Sequence, residues 1–264
     1  MHAVAENLLP ISLQPDEIHI WFTFPDKIHD TDLISAYKQL MIPEEQEKHR
    51  RFRFPKHRHQ YLVTRALART MLSRYTGIEP ALLHFHNNRY GRPELMLSKE
   101  HPSVRFNLSH TDGLIACAVV LNRDIGVDAE DMKRRVVSLG LADRFFSEKE
   151  VHDLQQLPED KRRDRFYDYW TLKESYIKAR GKGLSISLAQ FTFHISDDER
   201  LRISFDPRLK DHSNHWRFWL LKPTDQHKAA ISVFSKGKRD YSLTIKKAIP
   251  LIEDRQYNCE ILKS

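Results

Sequence analysis

The run Leu114–Leu121, LIACAVVL, is eight apolar residues without a polar position. An apolar stretch this short reads as a strand covered on both faces. It falls far below the roughly 18–20 residues that a membrane helix needs. Asn122-Arg123-Asp124 follows at once, and then Ile125–Glu130, a second strand-like run. The turn between them predicts a hairpin.

Around that turn the order of elements restarts. Before it come a strand over Ile18–Phe24, helical spacing over Asp30–Leu40 and a basic stretch from Lys48 broken by Pro55. Helical spacing then continues to Tyr75, and short strands are predicted at Leu82–Phe85 and Val104–Leu108. After it come helical stretches over Val136–Leu157 and Asp160–Arg180, then strand-like runs at Phe191–Ile195, Leu201–Phe205, Trp216–Leu221 and Ala229–Phe234. YSLTIKKAIPLI adds a last edge strand and tail. Each half reads strand, helices, strands. The expectation is an α+β fold of two similar halves, 1–123 and 124–264, related by a pseudo-twofold. Each half would be a small, mostly antiparallel sheet packed with helices.

The chain has 264 residues, 40% hydrophobic and 30% charged, which is globular composition. No apolar run is long enough to cross a membrane, and MHAVAENLLPISLQP lacks the basic start and apolar core of a signal peptide. The two cysteines, Cys117 and Cys259, stand in no metal or redox spacing. A reduced, cytoplasmic setting follows. The net charge of +7 favours acidic partners without choosing among them.

In IGVDAED, Asp128 and Glu130 are two apart on a strand and share one face. Two like charges there call for something positive between them, and a hard cation such as Mg²⁺ takes oxygen ligands. A bare D-x-E is more often a solvated strand end. Glu174, on a helix later in the same half, supplies the third carboxylate that a metal site needs. In WTLKESYIKARGKGL, Glu174 and Lys178 share a helix face at i, i+4. By themselves they read more readily as a surface pair, with Gly181 and Gly183 as a C-cap.

Lys48, Arg51 and Arg58 belong to a basic stretch interleaved with Phe52 and Phe54, either a phosphate surface or a solvated face. Arg92, in YGRP, sits on a turn fixed by a glycine and a proline, so it loses less entropy on binding a phosphate. Ser109 and His110 in FNLSHT are adjacent on a strand and point to opposite faces, which excludes a Ser-His hydrolase pair. At a strand end they suit an anionic group instead.

Together, YGRP, FNLSHT, GVDAED, RFFSEKE and WTLKESYIKARGKGL resemble, in this order, the 4'-phosphopantetheinyl transferases. The resemblance is to the longer single-chain, surfactin-synthetase-activating type, and covers residues 43–195. It implies transfer of phosphopantetheine from coenzyme A to a serine of an apo acyl or peptidyl carrier protein, releasing 3',5'-ADP. It implies Asp128, Glu130 and Glu174 as Mg²⁺ ligands, Lys178 as the cation on the coenzyme A phosphates, and Glu174 and Lys178 as the catalytic pair. Ser109 and His110 match the motif that contacts coenzyme A, and Arg92 stands where the family usually has lysine. Lys48 falls where a cation meets the 3'-phosphate, with Arg51 and Arg58 beside it. Glu45 departs from the pattern, since some members carry a second cation there. Two halves that can bury each other imply a monomer, and neither a membrane nor nucleic acid is an expected partner.

Two other classes fit parts of the sequence. A metal-dependent nuclease would share the carboxylates, lysine and basic face. It would place its lysine two positions after a carboxylate on a strand, not four on a helix. A basic nucleic-acid-binding protein would use Lys48–Arg69, which leaves Asp128, Glu130 and Glu174 unexplained.

Overall fold

The structure, a computed structural model, describes residues 9–133, 139–196, 200–237 and 240–264. The start of the predicted Val136–Leu157 helix and part of the N-terminal segment lie outside these residues. The chain divides into two compact units. The first holds the residues up to His86, with Pro93–Asn122 and Ser242–Asn258. The second holds Asn87–Arg92, Arg123–Tyr241 and Cys259–Ser264. This differs from two contiguous halves, because the chain returns to the first unit for Ser242–Asn258. Both units are α+β.

The elements of the first unit begin with β1 (Glu17–Thr23), α1 (Thr31–Leu40), α2 (Pro43–Arg51) and α3 (Pro55–Thr76). Short β2 (Phe85–Asn87), which ends in the second unit, and β3 (Pro93–Leu95) lead to β4 (Val104–Thr111) and β5 (Leu114–Leu121). The predicted strand at Leu82–Phe85 is a single 3-10 turn over Pro80–Leu82, with β2 starting only at Phe85. Pro80 at the head of that turn fixes φ there and offers no N–H to a ladder.

Helix α1 starts where Asp30 accepts from the Leu33 N–H at 2.8 Å. Pro55 opens α3 and Gly77, in the left-handed region at φ 72°, ends it. The apolar side chains of α3, among them Leu67 and Leu72, pack with Trp21, Tyr37, Ile115 and Val119 in one core.

In the second unit, β6 (Ile125–Asp131) precedes α4 (Leu139–Phe145), α5 (Glu148–Gln156) and α6 (Glu159–Arg180). Strands β7 (Phe191–Ile195), β8 (Leu201–Phe205), β9 (Trp216–Thr224) and β10 (His227–Phe234) follow. The chain then enters β11 (Ser242–Ile249) and β12 (Glu253–Gln256) of the first unit and closes with β13 (Glu260–Lys263) in the second. The first sheet has the order β12-β11-β1-β5-β4, with β1 and β11 parallel. The second is β13-β9-β10-β6, antiparallel throughout, and β7 pairs with β8 in a separate ribbon.

The predicted hairpin between β5 and β6 does not form. Asn122 takes a left-handed conformation at φ 54° and donates its N–H to Ser103, extending the ladder of β4 and β5. Two residues later Asp124 accepts from the Phe234 N–H, extending the ladder of β10 and β6. Each end of the turn is claimed by a different sheet, so the two strands separate rather than pair.

Helix α6 lies on the second sheet. Gly126, Asp128 and Glu130 share a face with their register partners Ser232, Ala230 and Lys228. A Cβ built on Gly126 would overlap the Ser175 carbonyl oxygen and the Ala179 nitrogen. Glycine is thus the condition for the helix to approach the strand this closely. Beside it, the hydroxyls of Ser175 and Ser232 meet at 2.6 Å.

The sequence pattern suggests an amphipathic α6 with one apolar side. Its C-terminal half is instead enclosed nearly all round. From Thr171 to Ala179 every side chain is buried except Glu174 and Lys178, which are half-buried. Even Lys173 is inside, its ammonium 2.7 Å from Glu150 and donating to the carbonyls of Leu188 (2.7 Å) and Phe191 (2.6 Å). Three acceptors match its three protons. Burial pulls the Lys173 pKa down to about 8, against the opposing pull of Glu150. Glu150 also closes the capping box of α5 with Ser147 and accepts from the Phe193 N–H at 2.8 Å.

Two outcomes test this packing. Gly126→Ala should lose about 3 kcal/mol or more of stability in denaturant unfolding, since backbone on the facing helix must move. Lys173→Met should cost about 3–5 kcal/mol by leaving Glu150 buried and uncompensated. Wild-type stability in either variant would show that α6 does not seat on β6 and β7 as described.

Candidate active site

In the second unit, strand β6 runs opposite to α6, and three side chains on one helix face meet two on the strand. At one end the Trp170 indole N–H donates to Glu130 at 3.1 Å. At the other the Lys178 ammonium donates to Asp128 Oδ1 at 2.7 Å. Glu174 lies one turn from each of them, on the same face. Its carboxyl pKa is raised, first by burial and then by the charge of Asp128, with Lys178 opposing. The helix spacing of four and the strand spacing of two therefore bring Asp128, Glu174 and Lys178 into one electrostatic cluster, with Glu130 anchored beside it by Trp170.

The side chains of Glu174 and Lys178 are the open positions in an otherwise buried stretch. A helix pair on a solvated surface is worth only tenths of a kcal/mol, and would not keep a carboxyl in a site that raises its pKa. The donor chemistry, three carboxylates with two mutually repelling, suits a hard divalent cation. Among the described residues, however, no three such groups stand close enough to hold a metal ion as placed. Asp128 is instead engaged by Lys178.

The YGRP turn belongs to this unit as well. Its Arg92 Nη1 donates to the Ala179 carbonyl at 2.7 Å, and Nη2 lies 3.3 Å from Asp124 Oδ1. The YGRP motif predicts a phosphate contact for Arg92. Its guanidinium here meets the end of α6.

The remaining predicted residues are in the first unit. Lys48, on α2, holds its ammonium over the Tyr61 ring, 5.4 Å from the centroid. Arg51 is exposed and bonds to Glu47 of its own helix at 3.2 Å. Arg58 reaches back to the Phe52 carbonyl at 2.7 Å, where α2 ends. On β4, Ser109 is buried and His110 exposed, on opposite faces, as adjacent strand residues must be. Glu45 is turned inward and pairs with Arg65 and, at 2.8 Å, with Arg69. A cation at position 45 would leave both arginines buried without that charge.

Sequence reasoning missed three contributors. Trp170 opens the WTLKESYIKARGKGL motif, which gives no sign that its indole N–H fixes Glu130. Glu150, the last residue of RFFSEKE, carried no sign that it partners Lys173, although the recurrence of S-x-x-E before a helix marks a capping box. Asn88, in the turn before Arg92, donates to the Gly181 carbonyl at 2.9 Å.

Comparison with known proteins shows the family. The 4'-phosphopantetheinyl transferase superfamily model matches residues 124–241, which carry Asp128, Glu130, Glu174 and Lys178. An N-terminal 4'-phosphopantetheinyl transferase model matches residues 30–121. The chain is similar to the 4'-phosphopantetheinyl transferase HetI of Nostoc sp., 30% identical over 227 residues, 86% of this chain and 92% of that one. It is also similar to the 4'-phosphopantetheinyl transferase Sfp of Bacillus subtilis, 35% identical over 167 residues, 63% of this chain and 72% of that one. A third relative, the L-aminoadipate-semialdehyde dehydrogenase-phosphopantetheinyl transferase of Xenopus laevis, is 29% identical over 205 residues, 72% of this chain and 67% of that one. With two models covering both halves and a relative spanned almost end to end, the chain belongs to the 4'-phosphopantetheinyl transferase superfamily.

Proposed function

We propose that the chain moves the 4'-phosphopantetheine group of coenzyme A onto a serine of an apo acyl or peptidyl carrier protein, leaving 3',5'-ADP, and that Asp128, Glu130, Glu174 and Lys178 carry the reaction. The observation behind this is the pairing of a half-buried carboxyl, Glu174, with a half-buried ammonium, Lys178, on the face of α6 that meets Asp128.

The serine oxygen forms a bond to the phosphorus that bears the pantetheine arm, and the bond from that phosphorus to the bridging oxygen of the pyrophosphate breaks. The leaving 3',5'-ADP keeps the bridging oxygen and its electron pair. Glu174 takes the serine proton, and its raised proton affinity suits a base. Lys178 neutralises charge on the phosphoryl oxygens. In the first unit, Lys48, Ser109 and His110 hold the coenzyme A phosphates, with Arg51 and Arg58 adding positive charge. A Mg²⁺ ion held by Asp128, Glu130 and Glu174 would supply further neutralisation of the pyrophosphate. The nucleophile comes from the partner, which accounts for a site rich in carboxylates and amines and without an activated serine or cysteine of its own. The chain acts as a monomer in the cytoplasm, where coenzyme A and carrier proteins meet.

The test is transfer itself. Purified protein, coenzyme A, Mg²⁺ and an apo carrier should give a carrier heavier by one phosphopantetheine in mass spectrometry, and EDTA should stop the gain. Folded Glu174→Gln should lose at least about 100-fold in turnover, the range of general-base contributions. Lys48→Ala and His110→Ala should weaken coenzyme A more than dephospho-coenzyme A. Near-normal turnover in Glu174→Gln would remove it from the chemistry, and a failure of every apo carrier to gain mass would end the assignment of substrate.

A further inference from the structure

We propose that Arg92 is a positioning residue: it clamps the last turn of α6, and with it Lys178, instead of touching coenzyme A. The inference rests on the proposed role of Lys178.

The last four carbonyls of a helix have no partner within it. Helix α6 ends at Gly181 in the left-handed region, φ 61°, whose N–H turns back to Ile177 at 3.0 Å and Lys178 at 3.1 Å. The YGRP turn supplies further donors to the carbonyls at this end. Arg92 Nη1 donates to the Ala179 carbonyl at 2.7 Å and, more weakly, to that of Lys178 at 3.4 Å. Asn88 Nδ2 donates to the Gly181 carbonyl at 2.9 Å. A guanidinium is also favoured at this negative end of the helix dipole.

The turn is built to hold this pose. The Asn88 side-chain oxygen accepts from the N–H groups of Tyr90 (2.9 Å) and Arg92 (3.0 Å), which leaves its amide nitrogen to face Gly181. The Asn88 N–H donates to the Arg92 carbonyl at 2.9 Å. A Cβ on Gly181 would sit 2.6 Å from Arg92 Cζ, so the guanidinium occupies the space that any side chain at 181 would need. Its side chain is 13% exposed.

The same guanidinium reaches Asp124, the residue before β6. It therefore joins the end of the helix that bears Lys178 to the start of the strand that bears Asp128. Fraying of the last turn would carry Lys178 away from its 2.7 Å contact with Asp128. An arginine that bound phosphate instead would have to leave carbonyls exposed at the end of the catalytic helix.

The test compares Arg92→Ala, Arg92→Lys and Asn88→Ala with the wild type. Steady-state transfer is measured with coenzyme A and dephospho-coenzyme A, and amide hydrogen exchange is followed over α6 without ligand. With the clamp lost, kcat should fall about tenfold or more in Arg92→Ala and several-fold in Asn88→Ala, while KM for either cofactor stays within about threefold. Exchange of the last turn of α6 should rise about tenfold, with the stretch from Glu159 to Tyr169 unchanged. Arg92→Lys, which keeps the charge and loses the fork, should follow Arg92→Ala. Asn88 also orders the turn that carries Arg92, so a phosphate-binding turn predicts a raised KM for Asn88→Ala, whereas the clamp predicts a lowered kcat. If Arg92→Ala fails to fold, the other two variants carry the comparison. A KM for coenzyme A raised about tenfold at unchanged kcat, or wild-type exchange in the last turn of Arg92→Lys and Asn88→Ala, would overturn the clamp. If the wild type transfers nothing, the proposed function fails while exchange still decides whether the clamp exists.

Discussion

The absent side chain of Gly126 sets the distance between β6 and α6, and the contact of Lys178 with Asp128 depends on that distance. Stacked sheets lie about 10 Å apart because side chains fill the space between them, and a helix over ordinary strand side chains is held off in the same way. Here the Ser175 carbonyl and the Ala179 nitrogen come down onto the backbone of β6. Side chains as short as Asp128 and as long as Lys178 can then meet across the gap. A larger residue at 126 would push out the part of the helix where Glu174 and Lys178 emerge.

Close seating buries a helix with many charges, and the structure offsets the desolvation cost by ion pairing at every level. Lys228 of β10 pairs with Asp168 and, at 2.8 Å, with Asp164 near the start of α6. Burial raises the Asp168 pKa, opposed by Lys228. Midway, Lys173 and Glu150 tie α6 to α5 and to the start of β7. At the far end Lys178 meets Asp128. Removing one partner of a buried pair strands the other, at a cost of about 3–5 kcal/mol. That cost measures a stranded charge, not the stability that the intact pair adds. The first unit uses the same device in the Glu45, Arg65 and Arg69 group, with Arg69 also donating to the carbonyls of Pro80 and Leu83.

What the sequence revealed follows from what local patterns encode. Strands β1, β5, β9 and β10 and helices α1 and α6 were legible because alternation, apolar runs and caps are local. Asp128 and Glu130 could be placed on one face by the strand period, and Glu174 and Lys178 by the helix period. The hairpin after Leu121 was misread because Asn122-Arg123-Asp124 has the chemistry of a turn, and turn chemistry does not say which sheet claims each side. That choice is made by Ser103 and Phe234, residues distant in the chain. Lys173 and Glu150 were opaque for a related reason. A buried pair 23 positions apart has no period, and nothing local distinguishes a lysine that turns inward.

Arg92 shows the same limit from the other side. A cation on a rigid turn is equally well made for a phosphate and for a row of helix carbonyls, since both are acceptors in a fixed geometry. Residue type and spacing cannot separate these partners. The separation comes from Gly181, which must be glycine both for its left-handed backbone and for the guanidinium lying against it. The two glycines thus act at opposite ends of one problem. Gly126 lets the helix approach the strand, and Gly181 lets the turn close over the helix end. Between them the backbone around Lys178 is held on two sides, while its ammonium and the Glu174 carboxyl keep partial access to solvent. The role proposed for Glu174 and Lys178, in transfer to an external nucleophile, needs that combination of a fixed scaffold and open charged groups.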